Sequence, residues 1–210
     1  MHEIEYGIKL LADKYSDALA QQIKLRTDEM RNDDKSHYLI YEVLGIDRKE
    51  GELIDLYQNK GRFLYKYAGS FLEEATILCF KNKFSYAREK VRIKNSITQR
   101  PKTIEIDCLI NNNAFEIKWR DATTDGYHIT KEHTRIKVIQ KYGYKPIRLM
   151  FYEPNRGQAI KVQETLKTMY LGVNGKYYSG NTAWEYVKEY TNIDLKQILN
   201  NIVKSKHRGG

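Results

Sequence analysis

Two short alternating runs separated by three asparagines constrain the fold of this chain more than any other stretch. The runs are I-E-I-D-C-L-I (Ile104–Ile110) and A-F-E-I-K-W (Ala114–Trp119). Their alternation of apolar and polar residues is typical of half-buried strands. Asn111-Asn112 suits a two-residue turn, because asparagine tolerates positive φ. The stretch therefore predicts a β-hairpin, with Ile104, Ile106, Cys108 and Ile110 on one face of its first strand and Glu105, Asp107 and Leu109 on the other.

This register places Asp107 opposite Glu116 and Glu105 opposite Lys118. Directly opposed side chains on paired strands have Cβ atoms roughly 4.5–5.5 Å apart, and like charges at that separation are destabilising. Two carboxylates can instead share a divalent cation through hard oxygen ligands, and Mg²⁺ is the natural guest. The alternative is a surface hairpin whose charged side chains form ordinary solvated cross-strand pairs.

The run from Asp107 through eight intervening residues to Glu116-Ile117-Lys118 resembles the core motif of the PD-(D/E)XK nuclease superfamily. The size and layout of the chain are similar to those of its type II restriction endonucleases. The resemblance covers about residues 60–152. Ile106 stands where the motif has the proline that names it, a departure that leaves the chemistry of the motif intact.

The resemblance implies an α/β (α+β) fold, in which a central mixed β-sheet carries a catalytic β-hairpin, helices flank the sheet and a helical N-terminal region precedes it. It implies sequence-specific, Mg²⁺-dependent hydrolysis of phosphodiester bonds in double-stranded DNA. One or two Mg²⁺ ions, for which Mn²⁺ can substitute, would be held by Asp107, Glu116 and the main-chain carbonyl of Ile117. Lys118 would orient the attacking water and stabilise the transition state.

A predicted helix over residues 61–81 brings in a further candidate. In this superfamily a glutamate on the helix before the catalytic strands commonly adds a carboxylate to the metal site. The apolar stripe of the helix includes Phe71 and Leu78; Glu74 lies on its flank, whereas Glu73 lies opposite it. Glu74 is therefore the predicted fourth catalytic residue and a candidate metal ligand, with Glu73 as the alternative.

DNA contacts are expected from the polar loop and the helix that follow the hairpin. Side chains of these types bind base edges and phosphates. The predicted contact residues are Arg120, Asp121, Thr123, Thr124, Lys131, His133 and Arg135. A strand after Phe84 is expected to present a second basic face, made of Arg88, Lys90, Arg92 and Lys94.

Composition favours a polyanionic partner. The 210 residues include 36 Lys and Arg against 27 Asp and Glu, which gives a formal net charge of +9 and a pI near 9.3. No apolar run approaches the roughly 18 residues of a membrane span, and the chain begins without a signal-peptide pattern, so a cytoplasmic protein is expected. The two cysteines, Cys79 and Cys108, indicate neither a disulfide framework nor a zinc site.

The chain length predicts a single domain. Residues 1–60 would form a helical N-terminal part, 61–152 the catalytic core, 153–203 covering helices and 204–210 a frayed basic tail. Besides the helix over 61–81, helices are predicted over 3–31, 36–45, 50–58, 129–142, 156–171, 184–190 and 193–203, and a further strand over 146–151. Gly45 and Gly51 are the expected stop signals, and Thr182 is an expected N-cap.

Three functions remain open from the residues. The first is a type II restriction endonuclease acting as a homodimer, since cutting both strands needs two centres, and no ATPase motif or other nucleotide-cofactor site is evident. The second is a structure-selective nuclease of the same superfamily, such as a Holliday junction resolvase or a repair nuclease. The third is a non-catalytic DNA-binding protein, which the intact Asp107, Glu116 and Lys118 disfavour.

Overall fold

The computed structural model describes the backbone of residues 2–121 and 123–208 and the side chains of residues 3–121 and 123–206. The chain divides into two compact units. One comprises the chain up to Ile8 together with the chain from Leu72 onward, and the other is Lys9–Phe71. The smaller unit is helical, and the larger one contains a β-sheet flanked by helices, so the predicted α/β class is confirmed.

The smaller unit is built from three helices. They are most of α1 (His2–Arg31), all of α2 (Tyr38–Val43) and the first two-thirds of α3 (Arg48–Lys83). The ring of Tyr15 packs edge-on against those of Tyr67 and Phe71, with centroids 6.1 and 6.0 Å away. The amphipathic pattern over residues 3–31 thus forms one long helix.

The predicted break between helices over 50–58 and 61–81 is wrong, because α3 runs through both without interruption. Gly51 lies inside this helix instead of stopping one. A Cβ at that position would lie 2.7 Å from Cδ2 of Tyr41, so glycine is there for close packing. Gly45 does end a helix, α2, and has φ of 87°.

The larger unit contains a five-stranded mixed sheet with the strand order β1-β2-β3-β4-β5. The strands are β1 (Arg88–Lys94), β2 (Thr103–Ile110), β3 (Asn113–Arg120), β4 (Lys145–Tyr152) and β5 (Lys176–Ser179). The first three are antiparallel, whereas β4 runs parallel to both β3 and β5. The strand β5 was not predicted, since four residues are too few to show a period.

The hairpin has the predicted register. Ile110 pairs with Asn113, and Cys108 pairs with Phe115. Asn111 occupies the turn with φ of 51°, the left-handed conformation for which asparagine is suited. Strand β3 is then followed by α4 (Tyr127–Lys141) and β4, the strand–helix–strand crossover expected for a parallel pair.

Helices cover both faces of the sheet. On one face, Val138 and Ile139 of α4 pack with Ile104, Ile106 and Leu109. On the other face, the ring of Phe80 from α3 lies 4.7 Å from that of Phe115. The remaining helices are α5 (Gly157–Gly172), α6 (Asn181–Thr191) and α7 (Leu195–Arg208), close to their predicted bounds.

Two predictions near the C-terminus are wrong. Thr182 is not an N-cap, because α6 begins at Asn181 after Gly180 and the Thr182 hydroxyl bonds to the main chain of Ser179. The tail predicted to be frayed, 204–210, is helical over residues 204–208, and Gly209 and Gly210 lie outside the described residues. None of the helices in the described part of the chain is long and apolar enough to cross a membrane.

Two leucines of α5 provide a matched test of where the core lies. Leu166 is fully buried among Ile136, Val162 and Tyr170, whereas Leu171 is 55% exposed. We expect Leu166→Ala to lower the free energy of unfolding by about 2–5 kcal/mol, because it leaves a cavity. Leu171→Ala should change it by about 0.5 kcal/mol or less. Urea denaturation measures both, and equal effects would contradict this packing.

Candidate active site

Asp107 lies at an irregular point of the sheet. The β1–β2 ladder pairs Glu89 with Cys108 and Val91 with Ile106, but it omits the pair between Lys90 and Asp107. Lys90 itself has φ of 51°. The β2–β3 ladder, followed from the hairpin turn, ends at Cys108 and does not reach Asp107. Irregularities of this kind re-aim a side chain, often beside an active site.

This irregularity breaks the predicted alternation of β2. Leu109 belongs to the same buried cluster as Ile104 and Ile106, although strict alternation puts it on the opposite face. Where the ladder stops, the side chain of Asp107 replaces a main-chain partner: its Oδ2 accepts a hydrogen bond of 2.7 Å from the amide of Ile117. The carboxylate of Asp107 is thereby held against β3, the strand that carries Glu116 and Lys118.

Glu116 is 2% exposed and lies between two cations. Its Oε2 accepts a hydrogen bond of 2.6 Å from Arg135 of α4. Its Oε1, which is also buried, forms an ion pair of 2.5 Å with the Nζ of Lys118. Each oxygen of Glu116 therefore faces a cation of its own.

The pKa values reflect this crowding of charge. Burial and the nearby charge of Glu116 raise the pKa of Asp107 to about 7, against the opposing effect of Lys118. Burial also disfavours ionisation of Glu116, but Lys118, Arg135 and Arg148 outweigh it and lower its pKa. Burial disfavours the charged form of Lys118, and the two carboxylates overcome that and raise its pKa. Glu116 and Lys118 are thus charged, whereas Asp107 titrates near neutrality.

The helix α3 brings Glu73 toward the site. The charge of Glu73 is among the causes that raise the pKa of Asp107, whereas Glu74 is not one of the main contributors. Glu73 Oε1 lies 3.5 Å from the Nζ of Lys90, whose pKa both glutamates raise. The charge of Glu73 thus acts on Asp107, and the roles of both Glu73 and Glu74 in the site remain predictions.

Glu105 does not pair with Lys118 as the hairpin register suggested. Its Oε2 forms an ion pair of 2.9 Å with the Nε of Arg92 on β1. Two members of the predicted basic face of β1, Lys90 and Arg92, are therefore engaged by acidic side chains next to the site. All four basic residues of that face, Arg88, Lys90, Arg92 and Lys94, are exposed.

The predicted DNA-contacting residues fall into two groups. Lys131, His133 and Thr124 are exposed, and Thr123 is half-buried. Arg120 donates to Asn155, while Asp121 and Arg135 are engaged in buried ion pairs. Direct DNA contact by these residues remains a prediction, and the structure gives Asp121 and Arg135 partners within the protein.

Sequence reasoning missed two buried charged residues, Glu132 and Arg148. Arg148 is fully buried in β4; it donates to Glu132 at 3.1 Å and to Asp121 at 2.6 Å. Glu132 also accepts from Tyr170 and lies 3.2 Å from the Nε of Arg135. The sequence does indicate that both are buried. Arg148 interrupts the apolar run P-I-R-L-M-F, and Glu132 lies one helical turn before the buried Ile136.

A cavity of about 580 Å³ opens beside these residues. Glu116, Lys118 and Arg135 line one side of it, and the turn before β2 contributes Arg100. Tyr127 and Lys131 of α4, whose ring and ammonium lie 4.8 Å apart, are also in its wall. Four basic side chains around one opening suit a phosphate-bearing ligand.

The residues fit a hard divalent cation. Asp107 and Glu116 supply two buried carboxylates, and carboxylate oxygens are the hard ligands that such a cation takes. No group of three His, Cys, Asp or Glu in a metal-binding arrangement occurs among residues 2–121 and 123–208. Two carboxylates are within the number that Mg²⁺ usually takes in proteins, together with water and substrate phosphate.

The raised pKa of Asp107 predicts a stability that falls with pH. The carboxyl of Asp107 ionises near pH 3.8 in the unfolded chain but near pH 7 in the folded one. The contribution of Asp107 to the free energy of unfolding is therefore greatest below pH 3.8 and is lost as the pH rises to about 7. Asp107→Asn cannot ionise. Without divalent cations, we expect its free energy of unfolding to rise relative to wild type across this interval, by on the order of 1 kcal/mol or more.

Urea denaturation in EDTA at the two ends of this pH interval measures the effect. The exposed Glu164, changed to Gln, controls for loss of one carboxylate elsewhere in the same unit. A difference between Asp107→Asn and wild type that does not change with pH would contradict the raised pKa.

Comparison with known proteins yields a family match. A family model described as ApaLI-like restriction endonuclease matches residues 1–204 of the 210. No curated protein and no solved structure matches the chain. The matched range includes both carboxylates of the site, Lys118 and the whole sheet.

Proposed function

The chain belongs to the ApaLI-like restriction endonuclease family, and we propose that it hydrolyses phosphodiester bonds of double-stranded DNA at a specific sequence, with Mg²⁺ as cofactor. Its membership makes it a type II restriction endonuclease. One observation carries the proposal: just beyond the end of the hairpin ladder, the buried carboxylate of Asp107 is close enough to Glu116 and Lys118 for their charges to shift its pKa, and Lys118 forms an ion pair with Glu116.

Asp107, Glu116 and the main-chain carbonyl of Ile117 are the proposed ligands of the ion, with Glu74 or, as the electrostatics favour, Glu73 completing the site. Mg²⁺ bound there would neutralise charge on the phosphate and lower the pKa of a bound water. A cation would also relieve the repulsion that raises the pKa of Asp107, so ion binding and ionisation of Asp107 favour each other.

Lys118 is the proposed group that orients the attacking water. Its side chain is about one-third exposed and lines the cavity, so its ammonium can reach a substrate phosphate while it stays next to Glu116. The two carboxylates keep it protonated. A fixed positive charge aimed at the phosphate stabilises the negative charge that develops in the transition state.

The DNA-facing surface is proposed to include the cavity mouth and the loop after β3. Lys131, His133 and Thr124 are exposed there, and a net charge of +9 attracts the phosphate backbone. A homodimer acting in the cytoplasm is part of this proposal. Two copies would bring two centres to the two strands, and their twofold symmetry would match a palindromic site.

Cleavage of plasmid DNA tests the proposed function and its residues. Purified protein with MgCl₂ should produce discrete fragments from a plasmid. Asp107→Ala, Glu116→Ala and Lys118→Ala should each lower the cleavage rate by about 10²-fold or more, because each removes a ligand or a fixed charge. In CaCl₂ the three variants should still retard duplex DNA in a gel, since binding depends mainly on other basic residues.

Lys137→Ala is the matched control, because Lys137 is an exposed lysine of α4 and does not line the cavity. Smeared products, or cutting of branched DNA alone, would contradict sequence-specific cleavage, and an active Asp107→Ala enzyme would refute the site. Digestion by Glu73→Gln and Glu74→Gln identifies the third acidic residue. The variant that cleaves DNA more slowly has lost the acidic residue that completes the site, and we expect this to be Glu73→Gln.

A further inference from the structure

A series of ion pairs connects Glu116 to the loop after β3. Glu116 pairs with Arg135 at 2.6 Å, Arg135 with Glu132 at 3.2 Å, Glu132 with Arg148 at 3.1 Å, and Arg148 with Asp121 at 2.6 Å. The charges alternate in sign at every step. We call these five residues the charge network.

The charge network is expensive to bury. Arg148 is fully buried, and the side chains of Glu116 and Glu132 are 3% and 5% exposed. Removing such groups from water costs so much that apolar residues of the same volume would usually serve a core equally well or better. The network is therefore better explained by what it holds in place than by the stability it adds.

Arg135 bridges the hairpin where its ladder has ended. One guanidinium nitrogen, Nη1, donates at 2.6 Å both to the main-chain oxygen of Glu105 on β2 and to Oε2 of Glu116 on β3. Backbone pairing between these strands stops at Cys108 and Phe115. The bridge therefore ties the side chain of Glu116 to the strand that carries Asp107.

We propose that Arg135, held from behind by the buried pair of Glu132 and Arg148, is a positioning residue: it fixes Oε2 of Glu116 and so orients the carboxylate, whose other oxygen, Oε1, faces Lys118 and would bind the divalent cation. This inference rests on the proposed function. Glu132 also accepts hydrogen bonds from Arg148 and Tyr170, and these fix the position of its carboxylate. The guanidinium of Arg135 can therefore keep its ion pair with Glu132 only in its present position.

The far end of the charge network supports the loop that follows β3. Oδ2 of Asp121 accepts from Arg148 and lies 2.8 Å from Nε2 of His128, at the start of α4. Arg148 therefore holds both Glu132, behind the site, and Asp121, where the loop begins. The same buried side chain sets the position of the carboxylate and of the chain that leaves β3 beside the cavity.

Glu132→Gln tests the positioning role, because Glu132 lines the cavity wall but its carboxylate is committed to Arg135, Arg148 and Tyr170. Glutamine keeps the size and removes the charge that holds Arg135. We expect the MgCl₂ concentration for half-maximal cleavage to rise by about 10- to 100-fold, the usual cost of losing a partner behind a metal ligand. The MgCl₂ concentration that raises Tm of the protein without DNA should rise by a similar factor.

Glu164→Gln, an exposed substitution on α5, is the control and should match wild type in both measurements. If Glu132→Gln does not fold, Arg135→Lys replaces it, because lysine keeps the charge but cannot retain the planar contacts of the guanidinium. The same shift is expected there. A folded variant with a lower Tm but an unchanged MgCl₂ requirement would overturn the inference, since the network would then be purely structural.

Failure of the inference and failure of the proposed function give different results. If wild type cleaves and Asp107→Ala does not, but the MgCl₂ requirement of Glu132→Gln is that of wild type, the positioning role alone is wrong. If wild type neither cleaves DNA nor responds to MgCl₂ in its Tm, the proposed function is wrong and the inference falls with it.

Discussion

Two like-charged carboxylates buried at the end of a β-ladder are the constraint on which the rest of this structure depends. Asp107 and Glu116 cannot both be ionised and dry without nearby cations. The protein meets this cost in two ways: it pairs Glu116 with Lys118 and Arg135, and it leaves Asp107 with a pKa of about 7. The repulsion between the two carboxylates is therefore only partly compensated by the protein's own cations. A divalent cation is the group that would let both carboxylates be charged near neutral pH, and this is the electrostatic basis of the proposed metal site.

The topology delivers these charges to one place. The hairpin brings Asp107 and Glu116 onto adjacent strands, and the crossover through α4 to the parallel strand β4 brings Arg135, Glu132 and Arg148 alongside them. Glu116 lies on β3, and the loop with Asp121 follows the same strand. The buried Arg148 therefore supports both: it bonds to Asp121 directly and acts on Glu116 through Glu132 and Arg135. The helix α3 adds Glu73, and Lys90 lies on the first strand, so α3 and β1 also contribute charged side chains next to the site.

Much of the fold could be predicted from local sequence. The alternation around Asn111-Asn112 predicts the hairpin register, and the helical and apolar runs after it predict α4 and β4. The errors come from tertiary effects. Gly51 reads as a stop, yet it is a close-packing position, and β5 is too short for periodicity to reveal. The choice between Glu74 and Glu73 stays open, because the position of a helix axis relative to a sheet is not in the helix sequence. The buried charge of Arg148 was hidden for the same reason: its partners come from α4 and from the loop after β3.

The central claim is that Asp107 and Glu116 share one cation-binding site. Anomalous scattering from crystals of the protein grown with duplex DNA and MnCl₂ tests it most directly. A manganese peak within coordination distance of a carboxylate oxygen of each residue is the predicted result, with Arg135 still bound to the other oxygen of Glu116. A peak elsewhere, or none between these two side chains while DNA occupies the cavity, would contradict the account.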